Sequence, residues 1–255
     1  MKIAMLQLPL TWENIDQNKQ YFLDQLREID LDTDLVVLPE MFISGFTMNP
    51  ERVSISMQDN FIIELQSLCK SSNFALIGSI VIEEHNLFYN RLLFIHPSGE
   101  IEYYNKRHLF SLAGEEKVYT AGQDRLIVDY KGWKICPLVC YDLRFPVFSR
   151  NTNEAYDLLI YVASWPDQRI YAWDTLMKAR AIENMSYVIG VNRCGTDENS
   201  NVYAGHSQAI DYMGQYLQEP LIGEHVVYTV IDKAIQDKAR NRFGFLGDAD
   251  FFTLQ

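Results

Sequence analysis

A glutamate, a lysine and a cysteine each follow an apolar run that is typical of a buried strand. Glu40 follows "LVVLP", Lys106 follows "IEYYN" and Cys140 follows "ICPLV". Ligand sites in α/β sheets form at the carboxyl ends of strands. A thiolate is a nucleophile, a carboxylate can take the thiol proton, and an ammonium can stabilise the oxyanion formed by attack on a carbonyl. Taken singly these residues are more often loop charges or a buried thiol, but together they predict nucleophilic catalysis by the cysteine.

The composition sets limits on the kind of protein and on its ligands. The chain has 255 residues, of which 48% are hydrophobic and 22% charged, values that are ordinary for a globular protein with a substantial core. No low-complexity tract or Pro-rich linker divides it, so we expect a single domain over residues 1–255. The formal charge of -12 argues against binding to nucleic acid or to anionic membranes. A small anionic substrate remains compatible, because charges are screened beyond about 8–10 Å at physiological salt.

The other features that could direct chemistry or location are weak. Gln7 and Pro9 interrupt the opening apolar run, which favours a first strand over a secretory signal, and no apolar stretch approaches the ~20 residues of a membrane span. Four scattered cysteines favour a reduced, cytoplasmic protein. The histidines are dispersed, so we expect no metal site. GxSxG, GxGxxG and GxxxxGK[ST] motifs are absent, which gives no support to a serine hydrolase or to nucleotide binding.

Apolar runs of strand type alternate with helical patterns along the chain, which predicts an α/β fold. The helix expected at residues 12–29 has Thr11 as a possible N-cap. The predicted strands include residues 2–8, 34–40, 157–164, 187–193 and 225–232, and consecutive hairpins over 74–105. Further helices are expected at residues 59–70, 170–185 and 233–241.

The residues around the three reactive groups carry a family resemblance. "LPEMF", "NKRHLF" and "CYDLRFP" resemble, in order and separation, the Glu-Lys-Cys triad of the nitrilase superfamily of carbon–nitrogen hydrolases. The resemblance extends from about residue 2 to residue 232. "CYDLRFP", together with "ASWP" (163–166) and "KARAIEN" (178–184), is similar to the ω-amidase branch. It implies a four-layer α-β-β-α sandwich that assembles as a homodimer or larger homo-oligomer and uses no metal or organic cofactor.

The resemblance also implies a second glutamate near the lysine. In the family pattern this residue lies seven positions before a glycine, here Gly122, which points to Glu115. Glu116 is the competing choice. The register is less certain because Ala121 stands where the family usually has a proline.

For these residues we hypothesise amide hydrolysis through a thioester. Glu40 takes the proton from Cys140, and Lys106 and the backbone N–H of Tyr141 hold the oxyanion. Glu115 holds Lys106 or orients the substrate. We also expect a helix start at Pro146, whose unpaired N–H groups would favour the thiolate.

The ω-amidase resemblance implies a small dicarboxylate monoamide as substrate, of the 2-oxoglutaramate or 2-oxosuccinamate type. Its distal carboxylate needs a cation, for which Arg144, Arg169 and Arg193 are candidates, although for Arg144 a structural ion pair with a carboxylate at the edge of the core is slightly favoured. Trp165 and Phe110 are candidate pocket walls. Two alternatives remain open: another superfamily hydrolase (a nitrilase or an N-carbamoyl hydrolase), or a non-catalytic binding subunit with the same fold.

Overall fold

The computed structural model describes residues 1–250 and 252–253, in which helices lie between groups of one or more strands. The strands are β1 (Lys2–Gln7), β2 (Leu35–Val37), β3 (Ala75–Glu84), β4 (Leu87–Ile95), β5 (Ile101–Asn105), β6 (Val128–Tyr130), β7 (Trp133–Val139), β8 (Leu158–Ala163), β9 (Tyr187–Asn192), β10 (Cys194–Thr196), β11 (Val202–Ala204), β12 (Gln208–Ile210), β13 (Tyr216–Gln218) and β14 (His225–Val230). The helices are α1 (Ile15–Arg27), α2 (Pro50–Val53), α3 (Asn60–Ser72), α4 (Pro146–Ser149), α5 (Ile170–Asn184) and α6 (Lys233–Phe243).

The strands form two six-stranded sheets and a small hairpin. The first sheet has the order β14-β1-β2-β3-β4-β5, the second has the order β13-β12-β9-β8-β7-β6, and β10 pairs with β11. In the first sheet β1, β2 and β3 are parallel, and in the second β7, β8 and β9 are parallel. Parallel strands end at the same edge of a sheet, so each sheet presents several carboxyl ends together at one edge.

The two sheets pack against each other and are covered by helices. Ile3 and Val37 of the first sheet share one buried cluster with Ile135 and Val139 of the second. The outer face of the first sheet packs on Phe22 of α1 and on the buried side of α3. On the second sheet, helix α5 approaches β9 so closely that a side chain at Gly190 would collide with Trp173 and Met177 of α5. The predicted four-layer α-β-β-α sandwich is confirmed.

The first helix is shorter than predicted. It begins at Ile15 rather than at residue 12, because Glu13 has a left-handed backbone (φ 50°) that no α-helix continues through. Its N-cap is Asn14, whose side chain accepts from the backbone N–H of Gln17, and not Thr11. The predicted helices at 59–70, 170–185 and 233–241 are confirmed within a few residues as α3, α5 and α6.

The strand predicted over residues 34–40 covers only Leu35–Val37. Pro39 has no N–H to continue a ladder, and the backbone N–H of Met41 bonds to the side chain of Ser79 instead. The polypeptide therefore leaves the sheet just before Glu40. The hairpin β10–β11 and the edge strand β13 were not predicted, since three-residue strands carry almost no periodic signal.

The expected single domain over residues 1–255 stays a prediction; Phe251, Leu254 and Gln255 lie outside the described residues. Within the described part of the chain, no helix has the length and apolar character to cross a membrane.

Candidate active site

A cavity of about 490 Å³ opens where strand ends of the two sheets meet. Glu40, Lys106 and Cys140 all line it, although they are separated by 34 residues or more in sequence. They lie shortly after the ends of β2, β5 and β7. The remaining lining residues are Trp12, Phe46, Thr47, Met48, Asn49, Phe110, Leu112, Ala113, Tyr141, Arg144, Ser164, Trp165, Pro166, Arg169, Asp197, Asn199, Asn201 and Tyr203.

Cys140 is held at a sharp break in the chain. It follows the fully buried strand β7 and begins a 3-10 helix, Cys140–Arg144. Its φ of 42° is in the left-handed region, where a residue with a side chain is strained. The turn directs the chain away from the sheet, and the thiol remains at the cavity.

The Glu40 carboxylate is completely buried and fixed through both oxygens. Oε1 accepts from Lys106 Nζ (2.9 Å) and from the side-chain amide of Asn90 (2.8 Å). Oε2 accepts from the backbone N–H of Ser164 (2.9 Å). Burial and, after it, the Glu40 carboxylate raise the pKa of the Cys140 thiol. A carboxylate oriented in this way is positioned to take the proton of the thiol.

The Lys106 ammonium lies between two buried glutamates. Besides its bond to Glu40, Nζ donates to both carboxylate oxygens of Glu115, at 2.9 and 3.0 Å. Burial opposes the charged form of Lys106, but Glu115 and Glu40 outweigh it and raise its pKa above the ordinary value. Burial, together with Glu40, raises the pKa of Glu115 although Lys106 lowers it. Glu116 is exposed, so the structure brings Glu115 and not Glu116 to the lysine.

Gly122, which marks the register of the second glutamate, is a point of close backbone approach. Its N–H donates to the carbonyl of Lys106 (3.0 Å). A Cβ at this position would lie 2.0 Å from the carbonyl oxygen of Asn105, which no side chain tolerates. The glycine therefore lets the loop after Glu115 lie directly along the end of β5.

The expectation that the chain after Cys140 favours a thiolate is wrong for this structure. Pro146 does begin helix α4, but burial, together with the Glu40 carboxylate, raises the pKa of Cys140 well above its ordinary value, and Lys106 only partly offsets them. A thiol in this environment needs a base to act as a nucleophile, and the Glu40 carboxylate is a base that lines the same cavity.

Two of the three candidate arginines face the cavity. Arg144 lies over the ring of Trp165 (4.9 Å to the centroid), and Arg169 lies over the ring of Phe110 (5.3 Å). Neither forms an ion pair with a carboxylate among the described residues, so the alternative that Arg144 belongs to a structural ion pair is not supported. Tyr141 packs edge-on against Phe110 (4.9 Å) and completes this wall.

Arg193 does not line the cavity. It is fully buried behind the wall, where its guanidinium lies over the ring of Tyr203 (4.4 Å) and donates to the backbone carbonyls of Cys194 and Leu10. The sequence could not show this, because β9 ends at the same edge of the sheet as β7, and only the tertiary packing buries the Arg193 side chain against Tyr203. The prediction that Arg193 binds the substrate carboxylate directly is therefore not supported, because its side chain does not reach the cavity.

Two residues that fix the candidate site were missed by sequence reasoning. Asn90 donates to Glu40 and, more weakly, to Glu115 (3.4 Å). Ser164 holds Glu40 through its backbone N–H and through its hydroxyl, which donates to the Glu40 carbonyl (3.2 Å). The only signal for Asn90 was a buried-type polar residue within the apolar run "LFYNRLLF".

In the part of the chain that the structure describes, no group of three or more His, Cys, Asp and Glu side chains is arranged to bind a metal ion. The cavity offers a thiol, together with a carboxylate and an ammonium that are hydrogen-bonded to each other. A thiol that has a base and a cation in the same cavity can act as the nucleophile in acyl transfer.

Comparison with known proteins agrees with this arrangement. The sequence profile of the family described as carbon-nitrogen hydrolase matches residues 2–240. The chain is 41% identical to omega-amidase YafV of Escherichia coli strain K12 over 255 residues, which cover 100% of this chain and 98% of that protein. It is 30% identical to 2-oxoglutaramate amidase of Bacillus subtilis strain 168 over 247 residues, covering 94% and 93% of the two chains.

Among solved structures, the chain is similar to XC1258 from Xanthomonas campestris, described as a CN-hydrolase superfamily protein with an arsenic adduct in the active site. The TM-score is 0.97 at 40% identity, covering 100% of this chain and 99% of that one. The chain belongs to the carbon-nitrogen hydrolase family of the nitrilase superfamily and is similar to the ω-amidases. It is a hydrolase that acts on carbon–nitrogen bonds other than peptide bonds, and the relatives support an amidohydrolase.

Proposed function

We propose that this hydrolase cleaves the terminal amide of a small dicarboxylate monoamide, of the 2-oxoglutaramate or 2-oxosuccinamate type, through a thioester on Cys140. The observation that carries the proposal is one cavity that is lined by the Glu40–Lys106 ion pair, by Cys140 and by two arginines that have no carboxylate partner among the described residues. The names of the relatives from Escherichia coli and Bacillus subtilis support the same substrate class.

In the first step, Cys140 Sγ attacks the amide carbonyl while Glu40 takes the thiol proton. The raised pKa of Cys140 makes this transfer necessary, since little thiolate is present at neutral pH. Glu40 then gives the proton to the amide nitrogen, and the C–N bond breaks to release ammonia. The acyl group remains on sulfur as a thioester.

Oxyanion stabilisation falls to Lys106 and to the backbone N–H of Tyr141. Tyr141 is the second residue of the 3-10 helix, where the N–H has no acceptor within the helix. Lys106 makes three hydrogen bonds in the resting structure, of which two go to the two oxygens of Glu115. We infer that the oxyanion takes over one of these two, while the other keeps the ammonium bound to Glu115.

In the second step, water attacks the thioester. Glu40, freed of its proton when ammonia leaves, takes a proton from this water and returns it to the sulfur. The products are the dicarboxylate and the free thiol. The two steps as written use only the amide, water and the side chains named, with no oxidant, metal or organic cofactor as a reactant.

The distal carboxylate of the substrate is assigned to Arg144 and Arg169. Each guanidinium lies over an aromatic ring of the cavity wall, Trp165 or Phe110, and has no carboxylate partner in the described chain. A guanidinium that faces a carboxylate can bind it through two parallel hydrogen bonds. We expect Arg144→Ala and Arg169→Ala each to raise KM about 10-fold or more, because a hydrogen bond to a charged group contributes about 1.5–3 kcal/mol to binding. The KM for neutral monoamides should change much less.

The direct test is ammonia release from a panel that contains 2-oxo acid amides, neutral amides, a nitrile and an N-carbamoyl compound. We expect turnover of the dicarboxylate monoamides, with none in Cys140→Ala. Cys136→Ala is the matched control, because Cys136 is a buried thiol in the middle of β7 with no place in the cavity. Carbon dioxide release from the carbamoyl compound, or turnover of the nitrile alone, would overturn the substrate assignment, and an active Cys140→Ala would overturn the mechanism.

We further propose a homodimer or larger homo-oligomer and a cytoplasmic location. Two large apolar side chains on α5, Tyr171 and Ile182, are exposed and offer a surface for a second copy. All four cysteines are unpaired in the structure, as expected in a reducing compartment. Light scattering after size exclusion and fractionation of cells test the two proposals; a monomer at micromolar concentration or recovery outside the cytoplasm would refute them.

A further inference from the structure

The Asp142 carboxylate is buried between the chain segments that carry Lys106 and Cys140. It has no solvent exposure and accepts four hydrogen bonds. The mechanism above gives it no role, and it does not line the cavity. A buried carboxylate with this many partners is costly to keep unless its bonds hold something in place.

Three of the four bonds come from the segment around Lys106. Oδ2 accepts from the Tyr104 hydroxyl (2.8 Å), and Oδ1 accepts from the backbone N–H of His108 (3.1 Å) and lies 2.7 Å from His108 Nδ1. The Tyr104 hydroxyl in turn accepts from the backbone N–H of Arg107 (2.9 Å). The chain is therefore held two residues before Lys106 and at both residues after it.

The fourth bond comes from the segment that carries the nucleophile. Oδ2 accepts from the backbone N–H of Val139 (3.0 Å), the residue before Cys140. Tyr104 belongs to β5 in the first sheet, and Val139 belongs to β7 in the second. One carboxylate thus bonds across the interface between the sheets, at the two strand ends that meet in the cavity.

We propose that Asp142 is a positioning residue that sets the distance between the Lys106 ammonium and the Cys140 sulfur. The inference rests on the roles proposed above for Lys106 and Cys140. An oxyanion donor acts only if it lies within about 2.7–3.1 Å of the oxyanion, and a displacement of about 1 Å can cost about 10²-fold in rate. Because Lys106 and Cys140 belong to different sheets, this distance depends on a contact that joins the sheets.

The chemistry of the contact requires a carboxylate. Each Asp142 oxygen accepts two bonds, whereas an amide offers a single accepting oxygen and two N–H donors. Asp142→Asn preserves the shape of the side chain. Its amide NH₂ group, however, replaces one accepting oxygen and faces two groups that donate hydrogen bonds to that oxygen in the wild-type protein. His108 cannot easily turn away, since its ring stacks on Phe145 with centroids 3.8 Å apart and planes within 6°.

The test is steady-state kinetics of Asp142→Asn with the best amide of the panel. We expect kcat to fall about 10²-fold while KM stays within about threefold, because the arginines that bind the substrate carboxylate are unchanged. Tyr104→Phe, which removes one of the four bonds, should lower kcat about fivefold on its own, as expected for one hydrogen bond. In the D142N background the same change should have almost no further effect, since both act through one contact.

A matched control separates positioning from general stability. Asp157 is also a buried carboxylate that joins separate segments of the chain, since it accepts from the backbone N–H of Lys134 (3.0 Å) and from Arg240 (2.9 Å). It directly precedes β8 and therefore lies at the end of that strand that is away from Ser164 and the cavity. Asp157→Asn should lower Tm and leave kcat per folded molecule unchanged.

The inference is overturned if the kcat of Asp142→Asn is within threefold of wild type. It is also overturned if Asp142→Asn and Asp157→Asn lose the same amount of kcat when they lose the same amount of Tm. A third contrary result is a double variant of Tyr104 and Asp142 whose loss of kcat equals the two single losses combined. If Asp142→Asn does not fold, the kcat of Tyr104→Phe decides, and an unchanged value refutes the proposal. Activity in Cys140→Ala would instead refute the proposed function, so the two failures can be told apart.

Discussion

The most informative single change is Lys106→Met, which removes the ammonium and keeps most of the side chain's length. Lys106 is buried and contacts Glu40 and Glu115 at 2.9–3.0 Å, so its loss has two separate consequences. In the proposed mechanism the oxyanion loses a charged donor, and in the structure two buried carboxylates lose the cation between them. The first consequence concerns the rate, and the second concerns the stability.

The magnitudes follow from these contacts. Removing one oxyanion donor lowers kcat by about 10²–10³-fold, or about 2.7–4 kcal/mol of transition-state stabilisation. Breaking a buried ion pair on one side destabilises the fold by about 3–5 kcal/mol. Without the ammonium, the two carboxylates can reduce their repulsion only by binding a proton. We therefore expect the destabilisation to be larger at pH 8 than at pH 5.

The assay combines ammonia release with urea unfolding at both pH values, so that kcat is expressed per folded molecule. Arg240→Met is the matched control, because Arg240 is a buried cation that pairs with Asp157 (2.9 Å) far from the cavity. It should lower stability and leave kcat unchanged. A kcat of Lys106→Met within about threefold of wild type would refute the oxyanion role, and equal destabilisation at pH 5 and pH 8 would refute the assignment of repulsion between Glu40 and Glu115.

Two further outcomes are expected. The pKa of Cys140 is raised well above its ordinary value, so its thiolate fraction still increases with pH above 9. The rate at which iodoacetamide alkylates Cys140, measured by mass spectrometry of the peptide that contains it, should therefore rise without a plateau in this range. A plateau below pH 8 would contradict the raised pKa. Gly122→Ala should destabilise the protein by about 1–3 kcal/mol and lower kcat, because its Cβ would lie 2.0 Å from the Asn105 carbonyl oxygen, beside Lys106. Gly247→Ala is the control, because a Cβ at that position has no heavy atom within 4 Å. Equal melting temperatures of the two variants would show that the backbone around Gly122 accommodates a Cβ without loss of stability.

The order of helices and strands, and the family, could be predicted from the sequence alone. Long segments such as α5 and β8 have a strong local pattern, so their positions were found within a few residues. The triad was recognised from the motifs "LPEMF", "NKRHLF" and "CYDLRFP", although the strand before Glu40 has only three residues. Where local signals were short or in conflict, as at Glu13 and in the hairpin β10–β11, the boundaries were wrong or missing.

The contacts that complete the candidate site were decided only by the tertiary structure. The register of Gly122 had pointed to Glu115, and the structure shows that Glu115 contacts Lys106. Which arginines face the cavity, and that Asn90 and Ser164 hold Glu40, depend on how the ends of two sheets meet. The sequence also could not show the environment of Cys140, because burial and a carboxylate 100 residues away in sequence raise its pKa. Local patterns record which residues prefer a strand or a helix, whereas electrostatic and hydrogen-bond contacts across sheets depend on three-dimensional distances that no local pattern encodes.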